Sequence, residues 1–245
     1  MTLIIFISDK PCGAGDTTSS SAASGNEKIQ AYVTILPAHN KLMSITSYIK
    51  SREETKSDEH LVLDSLFILL QVISLIFALA EKQKQIESIS AGDLVVSVDS
   101  DCIPTVYCHM ISVKKTCTNF NLICEKLRLL VIQLTHTCER LTRVKQFKTV
   151  EDLIQNSADA GDLKTIALII QYLLWGPKED EIKVMSSAEN RKQAFELWLH
   201  LSRATLLNQL VFQPLDRLKM CMMIGFWTNT SGNELFKITK LLSTY

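Results

Sequence analysis

From Thr105 to Ala160 the chain contains neither glycine nor proline. Such a run lacks the residues that ordinarily punctuate a chain, and it calls for extended regular structure. Read every 3.5 residues from Met110, it gives Met110, Val113, Cys117, Phe120, Cys124, Leu127, Val131, Leu134, Cys138 and Leu141, all apolar or cysteine. That is the seam of a helix packed on other helices. Beyond Leu141 the apolar positions change phase to Val144, Phe147, Val150 and Ile154. The expected element is one shared helix over about 105–160, whose buried side turns partway along to serve two packing environments. At 1.5 Å per residue it would approach ~80 Å. Its weak spot is Thr116–Asn121, a run of poor helix formers.

Eight glycines and five prolines in 245 residues are too few for a β-sandwich or barrel, which needs a turn signal every ~8–12 residues. Residues 1–26 read as a disordered leader, because Gly13–Asn26 is small and polar. Ile29, Val33, Leu36, Leu42, Ile45 and Ile49 form a helical apolar face interrupted by Pro37. A charged loop over 51–59 then leads into an apolar helix from His60 to about Ile89. Residues 93–104 are the least helical part and read as a loop or a shortened helix. Gly161 closes the long helix, and Asp162–Trp175 is a short helix stopped by Gly176-Pro177. After a charged loop over 178–183, Ser186 and Glu189 have the spacing of a capping box. The helix beyond it reaches Phe212, with Ala194, Leu197, Leu201, Ala204, Leu207 and Val211 on its inner face. Pro214 to Trp227 and Glu234 to Leu242 complete the set. The expected fold is all-α: long antiparallel helices in two stacked four-helix-type bundles, 27–140 and 141–245, sharing the long central helix.

Ser65–Ala80 is uncharged for 16 residues, ~24 Å of helix against a hydrocarbon core of ~30 Å. Asp64, Gln71, Ser74, Glu81, Lys82 and Gln85 also fall on one stripe of that helix. A lipid-facing helix has no use for such a stripe, so no membrane span is expected. The alternative is a small integral membrane protein anchored through residues 65–80.

Chemistry is sparse. Twenty-six basic residues balance 26 acidic ones, which gives no electrostatic footprint for nucleic acid. Cys12, Cys102, Cys108, Cys117, Cys124, Cys138 and Cys221 make an odd seven without a C-x-x-C pair, so they read as reduced thiols in a cytoplasmic chain. Cys117, Cys124 and Cys138 share the helical seam and pack as small hydrophobes. His136, two residues from Cys138, points elsewhere on the helix and cannot chelate with it. Met220, Met222 and Met223 read as core. No phosphate loop, H-E-x-x-H or G-x-S-x-G occurs. No catalytic residue, metal or cofactor is expected; the remote enzymatic reading would use Cys108 or His136.

Three stretches resemble the N-terminal head of the vinculin/α-catenin superfamily, α-catenin more closely than vinculin. VTILPAHNKLMSITSYI (33–49) resembles the family's first helix. HLVLDSLFILLQVISLIFALAEKQKQI (60–86) resembles the next one, including its charged end. LLVIQLTHTCERLTRVKQFKTVEDLIQNSADAGDL (129–163) is similar to the long central helix. Residues 91–105 are shorter and more β-branched than the family's third helix. The resemblance implies paired bundles sharing a helix, and a non-enzymatic adaptor at the cell cortex or cell junctions. The implied partners are a β-catenin-like or talin-like amphipathic helix, the actin cytoskeleton, and a second copy in a homodimer. The mode implied is insertion of a partner helix among the bundle helices. The candidate surface is Ile29, Val33, Leu36 and Ile45 with Leu66, Leu70, Ile73 and Phe77; the same residues also suit a plain bundle core.

Overall fold

A computed structural model describes residues 2–7, 31–36, 41–81, 89, 91–92, 94–98, 103–108, 119–212 and 217–244. Strand β1 (Thr2–Ile7) pairs antiparallel with β2 (Ala31–Leu36), Thr2 opposite Leu36 and Ile7 opposite Ala31. Strands β3 (Lys41–Ser44), β4 (Leu94–Val98) and β5 (Pro104–Cys108) form an antiparallel sheet with β4 in the middle. Helices dominate the rest: α1 (Ile45–Thr55), α2 (Asp58–Glu81), α3 (Phe120–Thr137), α4 (Lys145–Asn156), α5 (Ala160–Trp175), α6 (Glu179–Ser187), α7 (Arg191–Phe212), α8 (Arg217–Asn229) and α9 (Gly232–Thr244). The all-α expectation thus holds for most of the described chain, with two small sheets added to it.

Four expectations are corrected. The leader is not wholly irregular, since residues 2–7 form β1; its residues 8–26 lie outside the described residues. The first helix does not run through 29–49. Ala31–Leu36 carries Tyr, Val, Thr and Ile, which favour a pleated strand. Helix α1 starts only after Ser44, whose hydroxyl accepts from the Ser47 amide at 3.1 Å. Within the least helical stretch, Leu94–Val98 is a strand paired with Pro104–Cys108 and not a loop or short helix, while residues 93 and 99–102 lie outside the described residues. Finally, the helix expected over 105–160 is broken into β5, α3, a 3-10 turn at Glu139–Arg143, α4 and the start of α5.

The breaks have local causes. At Cys138 the backbone is extended, φ −143° and ψ 102°. The threonines just before it return their hydroxyls to the helix backbone, Thr135 to Ile132 O and Thr137 to Gln133 O, a bond that weakens a helix interior. After Asn156, Asp159 caps α5 through the amides of Gly161 and Asp162, while the Asp162 carboxylate accepts from the Asp159 amide. Gly161 therefore opens a helix and does not close one. Smaller shifts follow the same logic: residues 179–187 are helical, and α7 is capped by Asn190, whose side chain accepts from the Gln193 amide, with Ser186 left inside α6.

The core is organised around α2. It packs against α1, β5, α4, α5 and the 3-10 turn, and Leu61, Leu66, Ile68, Leu69, Leu70 and Ile73 are fully buried. Helix α5 packs on α2 and α4 and also on α8 and α9. At their meeting point Trp175 lies edge-on to Phe67, ring centroids 6.3 Å apart, and 6.3 Å from Phe226. The Trp227 indole N–H donates to Trp175 O at 3.1 Å, and Tyr172 and Thr239 share a hydroxyl hydrogen bond of 2.7 Å. Helix α9 begins against α7, where Glu196 Oε2 accepts from the Gly232 amide at 2.6 Å. A Cβ at position 232 would lie 2.6 Å from the Glu196 backbone nitrogen, so only glycine permits this approach.

Two polar devices hold the apolar parts in register. Gln71, buried in the middle of α2, donates from Nε2 to Pro104 O and accepts at Oε1 from the Val106 amide, both at 2.9 Å. Its amide thus satisfies the outer edge of β5 as a neighbouring strand would. Three arginines close helix C-termini in other elements. Arg140 donates to Glu53 O and Lys56 O at the end of α1. Arg128 donates to Ile154 O and Ser157 O after α4. Arg203 reaches Trp227 O at 2.6 Å and Thr230 O at 2.9 Å after α8. The last carbonyls of a helix lack intrahelical partners and carry the negative end of its dipole, which a forked cation suits well.

Two stability changes follow. Gln71→Leu strands one buried donor and one acceptor and lowers unfolding free energy by about 2–3 kcal/mol. Arg203→Met keeps much of the apolar stem, removes both charged hydrogen bonds and lowers it by about 1–3 kcal/mol. Urea denaturation of each purified variant measures the loss.

Candidate interaction surfaces

Of the eight residues singled out in the sequence, Ile29 lies outside the described residues, and Val33 and Leu36 belong to strand β2 rather than to a helix. Ile45, Leu66, Leu70 and Ile73 are brought together, all of them fully buried in the core that α1 and α2 share. Phe77 is half-buried, its ring 5.9 Å from Phe120 and 5.8 Å from Lys164 Nζ. Among the described residues of this group, Ile45, Leu66, Leu70 and Ile73 lie in the interior and Phe77 at its edge.

The polar stripe expected on α2 is accounted for by tertiary bonds at two of its points. Asp64 Oδ2 accepts from the Tyr48 hydroxyl at 3.0 Å and from Arg52 Nε at 2.6 Å, fastening α1 to α2. Gln71 serves β5. Ser74 returns its hydroxyl to Leu70 O, while Lys82 and Gln85 lie outside the described residues. By length and composition alone α2 could cross a membrane, yet 67% of its most apolar window is buried inside the protein.

Burial raises the Tyr48 hydroxyl far above the ordinary tyrosine range, and the Asp64 carboxylate adds to the shift against the opposing Arg52. Tyr172 is also raised by burial, with its bond to Thr239 working the other way. Both groups are neutral in the folded and unfolded chain below pH ~10, so they add no pH dependence there. Above it the unfolded chain ionises first and stability falls.

The cysteines divide by environment. Cys124 and Cys138 are buried on the seam and Cys221 is exposed. Burial pushes the Cys138 thiol up, with a hydrogen bond to the Glu53 carboxylate acting in the same direction. His136 is exposed, whereas Cys138 is buried. Cys102, Cys117 and His109 lie outside the described residues. Among the described residues no three His, Cys, Asp or Glu side chains converge as a metal site would require.

Helix α7 lies where it was expected, but its inner face is a different one. Its buried face is Phe195, Leu199 and Leu206, with Phe195 6.0 Å from Phe236 of α9. The face expected to point inward instead leaves Leu197 59%, Leu201 61% and Leu207 64% exposed. Ala204 is exposed beside them; Ala194 is half-buried, and the side chain of Val211 lies outside the described set. Helix α7 is apolar on two opposite sides, and its packing on α9 makes the Phe195 side the inner one. A second apolar group, Leu122, Leu129 and Ile132, is exposed on α3 at 38%, 55% and 36%.

Tyr48→Phe is expected to lose less melting temperature than the parent chain as pH rises above ~10, because it lacks one of the hydroxyls that ionises first in the unfolded chain; scans across that range check it. Iodoacetamide is expected to label Cys221 in the folded chain and to spare Cys124 and Cys138 until denaturant is added; peptide mass mapping reads the order. No protein-family model matches the chain, and no curated protein matches it.

Proposed function

We propose that the chain is a non-enzymatic scaffold that binds partner helices. The observation that carries the reading is the set of large apolar side chains left exposed on regular helices, led by Leu197, Leu201 and Leu207 on α7. An apolar group rimmed by polar residues on an otherwise folded surface marks a contact site. The arrangement of α5 also supports a reading as two bundles. Helices α1–α5 form one group and α6–α9 the other, with α5 packed on members of both. In that reading α5, and not residues 105–160, is the shared helix.

The vinculin/α-catenin resemblance supplies the identity of the partners: a β-catenin-like or talin-like helix, and actin at the cell cortex. This part of the proposal rests on the three sequence stretches, two of which, 33–49 and 129–163, are divided among shorter elements. The membrane reading is favoured by the length and apolarity of α2. Its burial and the bonds of Asp64 and Gln71 support packing within a folded protein.

The purified full chain is expected to retain a β-catenin-type or talin-type helix in a pull-down, or to co-sediment with filamentous actin. Failure with all three removes the cortical assignment. Resistance to carbonate extraction from membranes would favour the anchored alternative instead.

A further inference from the structure

We infer that the outer face of α7 seats a single amphipathic helix of another protein, with a large apolar side chain of that helix over Ala204. The inference rests on the scaffold reading above and narrows it to one face and one kind of occupant.

Leu197, Leu201 and Ala204 follow one another at spacings of four and three residues, which places them in a row on the helix surface, and Leu207 borders that row. The three leucines are 59%, 61% and 64% exposed. Ala204 is the smallest side chain of the group. By helical spacing it is ringed by His200, Leu201, Leu207 and Asn208, all exposed. A small residue inside such a ring leaves the depression that a knob from a second helix fills.

Area decides between occupants. The 22 residues of α7 make a ridge ~33 Å long and about one helix, ~10 Å, wide. Covering it buries roughly 330 Å² on each partner, or about 660 Å² in all, whereas a stable specific interface takes about 1,200–2,000 Å². A permanent dimer through this face would fall well short. A separate helix that exchanges on and off the ridge fits its size. The opposite side of α7 is already occupied by α9, so the row has no function in the core of the described protein.

The test uses the full chain and a fluorescein-labelled synthetic helix of about five turns with leucines at alternating three- and four-residue spacing. Sedimentation velocity is expected to show a monomer, and anisotropy is expected to show saturable binding of the probe. Leu201→Asp and Ala204→Trp should each weaken binding about tenfold or more, with melting temperature unchanged because both positions are exposed. Leu129→Asp on α3 should leave binding intact. A dimer that Leu201→Asp dissociates would overturn the inference by assigning the ridge to a second copy, and the scaffold reading would survive. Probe binding indifferent to both α7 substitutions but lost in Leu129→Asp would overturn it by moving the contact to α3. A monomer that does not bind the probe overturns it too; coupled with failure of the pull-downs, that result also removes the scaffold reading.

Discussion

The structure depends on how a nearly all-apolar helix tolerates one primary amide at its centre. An unpartnered Gln71 would cost α2 the full desolvation of an amide. Its two hydrogen bonds to Pro104 O and the Val106 amide, each 2.9 Å, turn that cost into a register mark. They fix β5, and with it the sheet, at one height along α2. Pro104 suits the first position of an edge strand because it has no N–H to leave unpaired. With the sheet on one flank, α1 fastened through Asp64 on another and α5 on a third, the helix is enclosed on most sides.

Enclosure of this kind makes short helices tenable. Elements such as α1 and α4, at 11 and 12 residues, are marginal as isolated helices in water. Here their ends are tied to neighbours by Arg140 and Arg128, whose guanidinium groups come from other parts of the chain. Arg203 does the same for α8, and Glu196 serves the start of α9. Charged side chains thus act at helix ends as tertiary fasteners, which reconciles a balanced composition with a firmly joined helical body.

What the sequence made legible was periodicity, and what it hid was continuity. From Phe120 onward the seam holds: Cys124, Leu127, Val131, Leu134, Cys138 and Leu141 are all buried. The phase change beyond Leu141 was real as well, but it marks a corner at Cys138–Val144 and not one rod turning its buried side. A helix that swivels and a helix that ends both shift the apolar phase, and a run without glycine or proline does not separate them when threonines supply the break. Strand β2 was hidden because six residues cannot distinguish period two from an interrupted helical face. The exposed row of α7 was misread because a helix apolar on opposite sides offers two equally good inner faces. Only the position of α9, a long-range fact, chooses Phe195, Leu199 and Leu206 over Leu197 and Leu201. Of the candidate site, Ile45, Leu66, Leu70 and Ile73 come together as core.

Packing of α2 inside the protein is therefore the claim on which the remaining conclusions turn. It accounts for Asp64 and Gln71 in the polar stripe and places Ile45, Leu66, Leu70 and Ile73 in the core. Amide hydrogen exchange of the free chain in detergent-free buffer tests it most directly. The account predicts that residues 61–76 of α2 exchange among the slowest in the molecule, together with Val106. Rapid exchange across 61–76, or a chain that remains dispersed only in detergent, would contradict it.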